Sequence, residues 1–270
     1  MISAKQQLLR RLELLPGGYF AAFVVKQAWA ALFGGLLLLG IIVTHYIDLP
    51  WLARYDWLFI WAIVIQIGML VAQLEQPREV LTILIFHLLG LMMELFKTST
   101  GIGSWVYPEE NVIRLATVPL FSGFMYAAVG SYIARAWRVL SLRFTHYPRR
   151  RWTLILIAAI YANFYTHHYV PDIRVLLFLA LAVIFWRTRV HFRLITREHS
   201  MPLLVGFGLV AAVIWLAENV ATYTNVWLYP TQHNGWQMVG VSKFGSWLLL
   251  MVISFVLVEL LHAWYVRRRI

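Results

Sequence analysis

The chain contains no cysteine. Disulfide bonds, thiolate nucleophiles and cysteine-based zinc or iron–sulfur sites are therefore excluded, and any metal would have to be held by His and carboxylates. Charge is also scarce. Asp, Glu, Lys and Arg make up 13% of the 270 residues, against about 25% in a soluble domain. Glycine-rich phosphate loops, G-x-S-x-G, kinase-like sets, H-x-x-x-H and H-E-x-x-H are all missing, so no cofactor is implied and no metal site is assigned.

What fills the space is apolar. Hydrophobic residues reach 61% of the chain and the mean hydropathy is +0.71, the balance of an integral membrane protein. A formal net charge of +11 would suit nucleic acid, but the basic residues cluster beside apolar runs. There they read as topology signals and contacts to anionic lipids. Membrane lipids and a lipophilic or small-molecule ligand are the expected partners, nucleic acid is not, and no feature specifies an oligomeric state.

Eight apolar runs are predicted to span, at about 19–45, 57–74, 80–98, 118–137, 152–168, 173–186, 201–222 and 241–264. Most are near the ~20 residues that cross ~30 Å of hydrocarbon, and the sixth is the shortest. The first is too long for a secretory signal core and is read as a retained helix. From an inside amino terminus, the even connections hold Arg78, then Arg138, Arg143, Arg149, Arg150 and Arg151, then Arg187, Arg189, Arg193 and Arg197; Arg267, Arg268 and Arg269 close the chain. The odd ones hold little beyond Arg54, Arg114 and the flanking Lys97, Arg174 and Lys243. Positive-inside orientation then places both termini in the cytosol. Lys26 and Glu259, inside the first and eighth runs, are read as a snorkelling lysine and a carboxyl hydrated near the helix end.

One pattern occurs twice. Glu94 and Thr98 precede Trp105-Val106-Tyr107-Pro108, and Glu218 and Thr222 precede Trp227-Leu228-Tyr229-Pro230. Each reads E-x-x-x-T and then W-x-Y-P, with Glu and Thr on one helix face. Thr44-His45 is echoed by Thr166-His167-His168, and Asp56 by Asp172. The expected fold is all-α: a polytopic bundle of about eight transmembrane helices in two parallel four-helix repeats, related by a pseudo-two-fold axis along the membrane normal. The corresponding divisions are a cytosolic segment 1–18, repeats 19–140 and 152–266, a basic linker 141–151 and a basic tail 267–270.

A carboxyl in an apolar helix is costly unless paired, hydrated or protonated. Glu94 and Glu218 therefore have two readings: structural anchors for a loop, helped by Thr98, Thr222 or Lys97, or a catalytic pair in one cavity that keeps a proton available. Trp105, Tyr107, Trp227 and Tyr229 either belong to an interfacial aromatic belt or line that cavity. His45, His167 and His168 join Thr98 and Thr222 as candidate substrate-binding residues, and Asn163 adds to the polar inventory. His87, Asp56 and Asp172 extend the inventory of possible metal ligands without a recognisable spacing.

Through Glu94-Leu-Phe-Lys-Thr98, Gly103-Ser-Trp-Val-Tyr-Pro108 and their second copies at Glu218 and Trp227, the chain resembles the YoaT-like family of uncharacterised bacterial multi-pass membrane proteins. That resemblance implies a bacterial plasma (inner) membrane location and brings no mechanism. A membrane Glu followed by a Gly-containing turn and Trp/Tyr is also remotely similar to the membrane lycopene cyclases and carotenoid hydratases, although Pro108-Glu109-Glu110 follows the aromatics too closely to match the cyclase motif. The similarity implies cofactor-free acid catalysis on an isoprenoid or other lipid. The rival reading is a transporter or receptor for a small solute or proton, and a third is a structural subunit.

Overall fold

The computed structural model describes residues 16–267. Most of the expected amino-terminal segment and basic tail lie outside the described residues. The predicted first span is two helices, α1 (Gly18–Ala30) and α2 (Leu32–Tyr46), bent by 71°. No proline marks the break. Arg135, itself buried, donates to the Trp29 carbonyl at 2.7 Å, an acceptor that a continuous helix would use for its own ladder. Lys26 does not merely snorkel, because its Nζ donates to the carbonyls of Val139 and Arg193 at 3.1 and 2.9 Å.

Seven further helices follow: α3 (Arg54–Val71), α4 (Pro77–Lys97), α5 (Ser122–Val139), α6 (Arg150–Thr166), α7 (Arg174–Phe185), α8 (Leu203–Tyr223) and α9 (Val241–Arg267). Among the described residues, four helices are long and apolar enough to cross a membrane (Arg54–Val71, Glu79–Lys97, Leu203–Tyr223 and Val241–Tyr265), or five if the bent pair is one span. The eight predicted runs are thus helical, but not all are spans by length and composition. Helix α5 carries Arg135 and Arg138, α6 has 17 residues and α7 has 12. Leu84, Leu88 and Met92 on α4, and Val205, Leu209, Val213 and Leu216 on α8, are exposed at helical spacing, as on a face turned to lipid. These features mark a helical membrane protein.

The structure is not wholly α. Strand β1 (Arg114–Leu115) pairs antiparallel with β2 (Val118–Pro119). Strands β3 (Arg143–Thr145), β4 (Arg189–Arg193) and β5 (Glu198–Pro202) form an antiparallel sheet in that order. Two Arg-rich connections, the expected linker 141–151 and the one that follows α7, therefore fold together. In β4, Val190 and Phe192 are buried while Arg189 and Arg193 are exposed, the alternation of a half-buried strand. Glu259, expected to be hydrated, takes a hydrogen bond from Arg150 at 3.2 Å.

Helices α4 and α5 pack closely because glycines sit at their crossing. A Cβ on Gly90 would lie 2.5 Å from the Tyr126 ring, and one on Gly130 would lie 2.8 Å from Phe86; small residues of this kind let membrane helices approach. The Gly90 contact matters most, since it lets Tyr126 lie across α4 toward Glu94. We expect Gly90→Ala to destabilise the detergent-solubilised protein by about 1–3 kcal/mol through overpacking. Gly35→Ala, where nothing lies within 4 Å, should leave thermal unfolding unchanged; equal melting of the two variants would show that the crossing tolerates a methyl group.

Candidate functional site between two carboxyl cages

Glu94 lies in the last turn of α4 and Glu218 in the last two turns of α8, and both are 3% exposed. The chain leaving each helix turns back over its own carboxyl. Trp105 Nε1 and the Tyr107 hydroxyl donate to Glu94 Oε2 at 2.8 and 2.9 Å, and the Tyr229 hydroxyl donates to Glu218 Oε1 at 2.6 Å. The next helix along the chain completes each cage. Tyr126 on α5 donates to Glu94 Oε1 at 2.8 Å, and Trp247 on α9 to Glu218 Oε2 at 2.7 Å. A buried acceptor without donors is costly, so this satisfaction accounts for the spacing from Glu to Trp and Tyr. Burial, and then the neighbouring carboxyl, holds the Tyr107 and Tyr229 phenols well above their ordinary pKa. Both stay protonated and act as donors.

The two loops meet. Val106 and Leu228 form an isolated antiparallel bridge, N to O at 3.0 Å one way and 2.9 Å the other. The Trp105 and Tyr229 rings stack edge to face across it, with centroids 6.1 Å apart. Beneath the bridge lies a cavity of about 980 Å³, whose wall includes Glu94, Glu218, Trp105, Trp227, Tyr229 and His167. Its other walls are mainly apolar and come chiefly from α1, α2, α4, α5, α6, α8 and α9. Along α9 the lining runs from Ser242 to Phe255, ~20 Å at the helical rise. The far end reaches the sheet at Phe144, Val190 and Phe192.

Other expected site residues lie elsewhere. Thr98 and Thr222 share a face with their Glu but do not touch its carboxyl. The Thr98 hydroxyl donates to the Glu94 backbone carbonyl at 2.9 Å and lies 2.7 Å from that of Thr117; the Thr222 hydroxyl donates to the Asn219 carbonyl and accepts from Trp236 Nε1, both at 3.2 Å. This back-bonding to the preceding turn is ordinary for Thr in a helix. Tyr107 holds Glu94 from behind the cavity wall. His45 lies apart, in a smaller polar pocket of about 350 Å³ with Arg54, Glu109 and Asn225. His168 contacts Lys97, Nε2 to Nζ at 2.6 Å, and His87 packs on Phe124 with centroids 4.4 Å apart. Among the described residues, no three His, Asp or Glu side chains are grouped to hold a metal.

The echoed aspartates secure loops. Asp56 accepts from the Val112 and Ile113 backbone amides at 3.0 and 2.8 Å and from Asn111 at 3.1 Å. Asp172 accepts from Asn163 at 3.1 Å and pairs with Arg174 at 2.6 Å. Tyr126 and Trp247 escaped the sequence reading, although each is a donor-bearing aromatic within the first two turns of the helix after a W-x-Y-P loop. Tyr126→Phe should cost about 1–3 kcal/mol by leaving a buried oxygen short of a donor. In a Glu94→Gln background that loss should shrink, and denaturation of the four proteins of this double-mutant cycle measures the coupling; strict additivity would show that the pair does not interact.

Over residues 19–255 the chain matches the family described as "Protein of unknown function (DUF817)". A relative from Bacillus subtilis (strain 168), "Uncharacterized protein YoaT", is 42% identical over 233 residues, which is 86% of this chain and 88% of the relative. The crystal structure of a cross-linked MvINS trimer is similar with a TM-score of 0.49 and 17% identity, over 70% of this chain and 96% of that one.

Proposed function

We propose, for a chain that belongs to the DUF817 family of proteins of unknown function, that its cavity binds a lipophilic substrate and that Glu94 and Glu218 carry out acid–base chemistry on it without a cofactor. The observation that carries this reading is the convergence of Glu94 with Trp105, and of Glu218 with Trp227 and Tyr229, on one apolar-walled cavity. A structural role for either Glu alone would not require both carboxyls to line the same space. The substrate class is an isoprenoid or another lipid with an alkene. One carboxyl gives its proton to the alkene carbon, and the resulting carbocation is stabilised by the faces of Trp105, Trp227 and Trp247. The other carboxyl removes a proton from a neighbouring carbon. The product is a rearranged alkene with no net oxidation, so no redox partner is needed. Glu94, with three donors, acts as the acceptor and Glu218, with two, as the acid.

The membrane frame of this reading is eight crossings in two parallel repeats, in the bacterial inner membrane, with both termini cytosolic and the cavity's polar end outside. It is supported by matched packing in the two halves. Helix α2 packs on α3 and α5 as α6 packs on α7 and α9, while α4 packs on α5 as α8 packs on α9. A receptor or transporter for a small solute or proton is the second reading, favoured by the caging of both carboxyls in neutral donors, which suits holding a charge in place as well as moving it.

Two measurements test these statements. Reporter fusions after Gly101 and after Arg150 should report opposite sides of the membrane, and same-side labelling would overturn the orientation. Untargeted lipid and pigment analysis of a deletion strain should show one species accumulating and another missing, restored by the wild-type gene but not by Glu94→Gln or Glu218→Gln at equal protein levels. An unchanged profile would remove the enzyme and leave the receptor or transporter.

A further inference from the structure

We propose that the polar end of this cavity recognises an oxyanion head group, so that its ligand is an anionic amphiphile with a phosphate or carboxylate at the outer end and its tail along the apolar chamber. This deepens the lipophilic-substrate reading and rests on it. The observation is a trio of cations, Lys97, Lys243 and Arg174, which line the cavity beside the two carboxyl cages and lie within electrostatic range of one another.

Lys97 is 3% exposed yet has no carboxylate within ion-pair distance among the described residues. Its Nζ faces neutral or weakly basic groups: His168 Nε2 at 2.6 Å, His167 Nε2 at 3.4 Å and the Phe164 ring at 4.3 Å. Lys243 lies over the Tyr229 ring at 4.2 Å and the Trp105 ring at 5.7 Å, and among the described residues its ammonium makes no hydrogen bond or ion pair. Arg174 is anchored by Asp172 at 2.6 Å and by the Ser246 hydroxyl at 3.1 Å. Asp172 is thus the one carboxylate paired within the trio.

Buried like charges are stable only near a counter-charge. The obvious candidates, Glu94 and Glu218, are held by neutral indole and phenol donors and form no ion pair with either lysine among the described residues. Glu218 acts on Lys243 and Asp172 on Lys97 only through space; an oxyanion seated between Lys97, Lys243 and Arg174 would add the direct, hydrogen-bonded counter-charge that neither lysine has, through charge-assisted hydrogen bonds. The separation also has a chemical logic. Cations bind the head, while the carboxyls remain free to act on the first carbons of the tail.

The test uses the purified full-length protein in a neutral maltoside detergent and compares dodecyl phosphate, dodecanoate, dodecanol, dodecyltrimethylammonium and inorganic phosphate by calorimetric titration. Both anionic amphiphiles should bind about tenfold or more tightly than the alcohol or the cationic amphiphile, the scale of one charge-assisted contact. Lys97→Gln and Lys243→Gln should each lose that preference while binding dodecanol as before. Dodecanol as tight as dodecyl phosphate would overturn head-group recognition but leave the lipophilic cavity standing. Failure of every amphiphile would overturn the cavity reading itself. Inorganic phosphate binding as tightly as dodecyl phosphate would identify a free-anion site and overturn the amphiphile. The ligand comparison on the unaltered protein decides the matter even if a lysine variant does not fold.

Discussion

A carboxyl group cannot sit in an apolar helix without donors, and much of this structure follows from meeting that requirement twice. Glu94 and Glu218 each lie within two turns of a helix end and are almost wholly enclosed. Both draw mainly on neutral donors, with Lys243 acting on Glu218 through space and not through an ion pair. Indoles and phenols are recruited from the chain that follows and from the next helix, each hydrogen bond contributing about 0.5–3 kcal/mol according to the charge on the carboxyl. Satisfying Glu94 fixes the path of Trp105 and Tyr107, and satisfying Glu218 fixes Tyr229. Two fixed loops present complementary edges, and the Val106–Leu228 bridge joins them.

The part of this arrangement legible in the sequence is the part that is local. Trp105 and Tyr107 follow Glu94 by 11 and 13 residues, and Tyr229 follows Glu218 by 11, so the repeated W-x-Y-P lies close enough along the chain to be read together with its Glu. Tyr126 and Trp247 are 32 and 29 residues beyond their carboxyls, on helices whose rotation about their axes is set by packing at Gly90 and its neighbours. Thr98 and Thr222 show the limit of periodicity. It places them on the right face, but the rotamer is decided by the backbone carbonyls of the preceding turn.

The bend between α1 and α2 carries no sequence mark because its cause, Arg135, is 106 residues from the carbonyl it captures. The sheet was obscured for a different reason. Arg143, Arg189, Arg193 and Arg197 identify a membrane flank so strongly that the alternation of Val190 and Phe192 beneath them reads as noise. Counting spans by hydropathy likewise gives helices their positions but not their reach, and α7 has only 12 residues.

The cavity is closed differently at its two ends. At one end, strands β3, β4 and β5 form a continuous ladder, reinforced by the Arg143–Glu198 ion pair and by Lys26 reaching from α1. At the other, the Val106–Leu228 bridge is supported by the Tyr55 hydroxyl, which donates to the Val226 carbonyl, and by Arg54, which donates to the Thr224 carbonyl, both at 2.8 Å. Of the two closures, the ladder is the more extensive and the bridge with its side-chain supports the smaller. Each carboxyl cage is built from the loop and the helix that follow its own Glu, so parting of the bridge would leave both carboxyls with their donors. Motion of this kind would widen the cavity from its polar end, and the charged trio would be the first part of the wall to meet whatever enters.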